Sequence, residues 1–114
     1  MANDFKRFCK PDVGTSNTTL YTVPGSSKES IVIGITMANK TSSGISASIF
    51  IDNEDGSNDV FIVKDATIPA GASLEVMSGN KLVLQNDGTN GDNLEALASA
   101  ANSLDITVSV LEDV

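Results

Sequence analysis

Short segments in which apolar and polar residues alternate constrain this chain more than any other feature. Residues 45–51 and 104–111 repeat with a period of two, as in strands with one buried face and one solvated face. Similar β-branched runs recur at about ten-residue spacing and end in Gly, Pro, Asn or Asp. This pattern predicts an all-β fold, an antiparallel β-sandwich or flattened barrel of about seven or eight strands.

Two segments depart from the alternation. Residues 30–37 are apolar at nearly every position, which predicts a strand that is covered on both faces or lies in a subunit contact. Residues 93–101 are rich in Leu, Ala and Glu, which favour helix. We therefore expect one short helix or an irregular loop near 93–101.

The residue types that are missing exclude most chemistry. The chain of 114 residues has no histidine, which removes imidazole bases and most zinc sites. Its nine glycines lack the spacing of a phosphate-binding loop. We expect one domain that is not an enzyme, with no catalytic residues and no cofactor.

Charge and hydropathy limit the partners. The net charge of −8 repels phosphate backbones, so no nucleic-acid partner is expected. No apolar run approaches the ~20 residues that cross a membrane, and the first residues lack the apolar stretch of a signal peptide. The single cysteine, Cys9, is expected to be an inert thiol in a protein that folds in a reducing cytoplasm.

The N-terminal segment differs in charge from the rest of the chain. It holds Lys6, Arg7 and Lys10, three of the seven basic residues, with Phe5 directly before them and Phe8 between Arg7 and Lys10. Residues 1–14 show no periodicity and end in a turn-like sequence, which predicts an extended N-terminal arm before a β-sandwich domain at 15–114. These three basic and two aromatic residues of the arm are the predicted partner-binding residues, because aromatic anchors fill apolar pockets and basic groups meet acidic patches.

One acidic loop, residues 52–59, is a candidate metal site. Asp52, Asn53, Asp55 and Asp59 supply the oxygen ligands that Ca²⁺ prefers. Their spacing does not match the EF-hand pattern, and a turn between strands favours the same residue types. We therefore interpret the loop as a turn and predict no metal site.

The chain contains an ordered series of segments at residues 4–7, 13–15, 20–24, 33–35, 38–41, 61–66, 68–75 and 81–84. It resembles small virion structural proteins of tailed phages, especially marine phages that infect cyanobacteria and other bacterioplankton. The resemblance covers residues 4–84 and the last strand, and residues 89–102 depart from the family's pattern.

The resemblance implies a virion component made in the host cytoplasm. The first hypothesis is a capsid decoration or cement protein. Such a protein would bind the major capsid protein of the assembled shell through its N-terminal arm and strand edges. We expect a homo-oligomer, such as a trimer about a symmetry axis. One alternative is a neck, tail or baseplate ring component that contacts portal or tail proteins. Another is a host-binding tip whose acidic loops contact cell-surface glycans.

Overall fold

The structure, a computed structural model, describes residues 3–24, 29–52, 59–76, 81–86 and 91–113. These residues form strands and turns, and none of them lies in a helix that could cross a membrane. The strands are β1 (Asn3–Val13), β2 (Thr18–Thr22), β3 (Glu29–Asn39), β4 (Ile45–Asp52), β5 (Asp59–Ile68), β6 (Ser73–Glu75), β7 (Leu82–Gln85), β8 (Asn93–Ala98) and β9 (Leu104–Asp113).

The strands form two antiparallel sheets. Sheet A has the order β1-β9-β3-β6, with β7 also paired to β3, and sheet B has the order β2-β8-β4-β5. β6 pairs with residues 36–38 of β3 and β7 pairs with residues 29–32. The two short strands therefore share one position in sheet A. The nine strands therefore fill eight positions in a jelly-roll order. This arrangement confirms the predicted antiparallel β-sandwich.

The core lies between the inner faces of the two sheets. In β9, every second residue from Leu104 to Val110 is at most 1% exposed, as the alternation predicts. Val32, Ile35 and Met37 of β3 are fully buried and pack into the same cluster. In β9 the alternation thus predicts which side of the strand enters the core.

The helix expected near 93–101 is absent from these residues: 93–98 form strand β8 and 99–101 form a bend and turn, so the helix prediction is wrong. β8 lies between β2 and β4 in sheet B, and Leu94, Ala96 and Ala98 are buried while the residues between them are half-buried. The two alanines pack into the core cluster. Central placement in the sheet has overridden the helix propensity of Leu, Ala and Glu.

Residues predicted as a separate arm form an edge strand of the sandwich. β1 pairs with β9 from Asn3 to Lys10, and again at Val13 after a bulge. At the bulge, Asp12 has a φ of 59°. Its carboxylate pairs with the Lys40 ammonium, whose Nζ also lies 3.0 Å from Oδ1 of Asp105. Residues 3–13 therefore belong to sheet A.

Candidate partner-binding surface

The pairing of β1 with β9 divides the predicted partner-binding residues between two faces. Lys6 and Phe8 lie opposite Val110 and Val108, whose side chains enter the core. Phe5 and Arg7 point to the outer face, because successive side chains of a strand alternate. Lys10 shares the inner face with Lys6 and Phe8 but is exposed at the edge of the sheet.

The inner face of β1 closes a buried polar cluster. The Lys6 ammonium lies 3.2 Å from Oε1 of Glu112, a residue that is only 4% exposed. The Tyr21 hydroxyl donates to Oε2 of Glu112 at 2.5 Å and lies 2.7 Å from the hydroxyl oxygen of Ser30. Phe8 packs against Tyr21, with ring centroids 4.9 Å apart. Lys6 and Phe8 therefore have partners within the chain.

The cluster predicts an unusual titration of Tyr21. Burial, followed by the hydrogen bond to Glu112, raises the pKa of Tyr21 well above its ordinary value. A raised pKa means that folding favours the neutral phenol, so this stabilisation is complete below pH ~10 and is lost as the pH rises further. Tyr21 is the chain's only tyrosine, and there is no tryptophan. Phenolate absorbance therefore reports this group alone, and its midpoint should fall to the ordinary value when urea unfolds the protein. Equal midpoints in the two conditions would contradict the cluster.

An apolar row crosses the outer face of sheet A. Register places Phe5 opposite Leu111, Leu111 opposite Ile31, and Ile31 opposite Val83. The row is most exposed at the two edges of the sheet, 77% for Phe5 and 54% for Val83. Ile33, at a bulge beside the row, is also exposed. We call these five residues the sheet A row.

Sequence reasoning found one member of this row, Phe5, and missed the others as partner-binding residues. The missed signal was adjacent apolar residues where alternation calls for a polar one, as in 82–84 and 110–111. The apolar density of 30–37 did predict a strand with two covered faces or a subunit contact. β3 has its inner face buried, and Ile31 and Ile33 lie on its outer face.

Only part of the candidate metal loop lies within the described residues. Asp52 and Asp59 pair across β4 and β5, whereas Asn53 and Asp55 lie outside the described residues. Burial, followed by the charges of Asp52 and Asp59, raises the pKa of the neighbouring Glu95. Within the described ranges, no group of three or more Asp, Glu, Cys or His side chains is placed to hold a metal ion.

Two solved structures share the fold. A chain from Bacillus endospore appendages, described as a novel family of disulfide-linked pili, has a TM-score of 0.58 at 12% identity, over 96% of this chain and 86% of that chain. A chain from infectious bursal disease virus, Gx strain, has a TM-score of 0.50 at 15% identity, over 96% of this chain but only 32% of the viral chain. No family model matches the sequence, and no curated protein matches it. At these identities the likeness establishes the fold.

Proposed function

We propose that this chain is a structural protein of a virus particle, a decoration protein that binds the assembled shell of a tailed phage. The observation that carries the proposal is the sheet A row, because a contiguous apolar strip on a soluble protein marks a contact surface. The likeness of the fold to a chain from infectious bursal disease virus and the resemblance to phage virion proteins support the same role.

The surroundings of the row favour a shell partner with carboxylates. Arg7 is exposed on the outer face of β1, two residues from Phe5, and the chain as a whole carries a charge of −8. An acidic partner would otherwise be repelled, so a local basic group directs it to this edge. Phe5 is the anchor, since large aromatic side chains dominate the energy of such contacts.

Point variants test this function better than deletion of residues 1–12. Such a deletion would remove β1 and expose the buried polar cluster around Glu112. A loss of binding could then result from unfolding and not from the loss of contact residues. Phe5→Ser and Arg7→Glu change exposed side chains only, and each is expected to weaken binding to shells at least tenfold, or about 1.4 kcal/mol.

The assay is co-sedimentation with intact shells of the virus that encodes the protein, with circular dichroism as a check of folding. Cys9→Ser is the matched control, because Cys9 is exposed on the same face of the same strand but outside the row. Wild-type binding by Phe5→Ser would contradict docking through the row. A copy number of about six to twelve at one vertex would instead support the neck or tail alternative.

A further inference from the structure

A second exposed apolar surface lies on the opposite sheet, along strand β5. β5 is the last strand of sheet B, and no other described strand pairs with its outer edge. Val60 is 49% exposed and Phe61 is 42% exposed, and Ile62 and Val63 follow them. Residues 60–63 carry no charge, and an open apolar strand edge readily pairs with another strand.

A bulge fixes the directions of the β5 side chains. Val60 pairs with Ile51 and Val63 pairs with Ile49, and both isoleucines pack into or against the core. Two valines three residues apart therefore share the inner face, because the register shift inserts Ile62 between them.

The charged residues at the two ends of this run share the outer face. Asp59 pairs with Asp52, and Phe61 pairs with Phe50. The Lys64 ammonium lies 4.7 Å from the centroid of the Phe61 ring, so it stands on the same face. The run from Asp59 to Lys64 thus begins with an exposed acid and ends with an exposed base.

We infer that β5 pairs antiparallel with β5 of a second copy across a two-fold axis. The run reads Asp-Val-Phe-Ile-Val-Lys, which is complementary to itself when reversed. Asp59 then lies opposite the partner subunit's Lys64, and Val60 lies opposite the partner subunit's Val63. Both matched pairs share a face because of the bulge, and symmetry produces each of them twice.

Charge and face select this register over its neighbours. A shift of one residue in one direction places Asp59 opposite the partner subunit's Asp65, and directly opposed like charges are destabilising. The same shift moves inner side chains opposite outer ones. A shift in the other direction places Asp59 opposite the partner subunit's Val63 and removes its pairing with the partner subunit's Lys64. We call residues 59–64 of both copies the seam. It is expected to bury less area than the about 800 Å² per partner of a standard interface, so we expect a reversible dimer whose fraction rises with protein concentration.

Sedimentation equilibrium over a concentration series tests the pairing. Asp59→Lys and Lys64→Asp are each expected to raise the dimer dissociation constant roughly tenfold, because each opposes like charges at two symmetric positions. The double variant exchanges the charges and should restore the dimer. Lys81→Asp, at an exposed lysine outside the seam, is the matched control. A monomer at every concentration, or no rescue in the double variant, overturns the inference.

Cysteine cross-linking tests the register. In a Cys9→Ser background, oxidation of a mixture of Val60→Cys and Val63→Cys chains should give a disulfide-linked dimer, whereas neither variant alone should. Cross-linking of Val60→Cys with itself would overturn this register. Neither outcome bears on shell docking, which is measured on sheet A, so the two proposals fail separately.

Discussion

Replacing Lys6 with methionine is expected to lower the free energy of unfolding by about 3 kcal/mol. Methionine keeps most of the side chain's apolar length but removes the ammonium that faces Glu112. The Glu112 side chain is 5% exposed, so its carboxylate would then be buried without a counter-ion. Loss of one partner of a buried ion pair costs about 3–5 kcal/mol, and the lower end applies because the Lys6 side chain is 47% exposed.

The opposite substitution should cost much less. Glu112→Gln keeps an oxygen that accepts from the Tyr21 hydroxyl and returns the half-exposed Lys6 ammonium to water. We expect a loss of about 1 kcal/mol. The double variant Lys6→Met, Glu112→Gln should recover most of the loss caused by Lys6→Met, because no charge remains buried. Urea unfolding followed by circular dichroism measures all three, and equal losses from the two single variants would contradict this account.

The class of fold could be predicted from the sequence because period-two alternation determines which side of a strand is buried. It was clearest in β9, where every second residue from Leu104 to Val110 is buried, whereas in β4 the outer-face residues Ser48 and Phe50 are buried as well. It failed in β8, since a run of Leu, Glu and Ala is compatible with both strand and helix when read locally. Only the position of β8 between β2 and β4 decides between them, and that position depends on contacts distant in the chain.

The candidate surface could be predicted only in part. Composition drew attention to the first ten residues, but the division between Phe5 and Arg7 on one face and Lys6 and Phe8 on the other depends on the register with β9. The partners of Lys6 and Phe8, Glu112 and Tyr21, are distant in sequence. The sheet A row likewise joins four strands, so no local window of sequence contains it.

Replacing Phe50 with alanine is expected to cost about 3–4 kcal/mol of unfolding free energy, as much as a truncation in the central core. This size of effect is unexpected from the alternation, in which Phe50 falls on the outer face of β4. Phe50 is nevertheless only 2% exposed, and its ring lies 5.2 Å from that of Phe61. The outer face of sheet B therefore has a buried aromatic contact of its own.

Phe61→Ala provides the matched control, because it removes the other ring of the same pair from a position that is 42% exposed. We expect a loss of about 1 kcal/mol, which reflects the smaller area removed from solvent contact. Leu104→Ala supplies the reference for the central core. If Phe50→Ala lowered the free energy of unfolding no more than Phe61→Ala, the buried Phe50 ring on the outer face of sheet B would contribute little to folding. If the predicted order holds, the Phe50 ring adds to the β4–β5 pairing that holds β5 in sheet B, and its loss should also weaken the β5 dimer although residues 59–64 are unchanged.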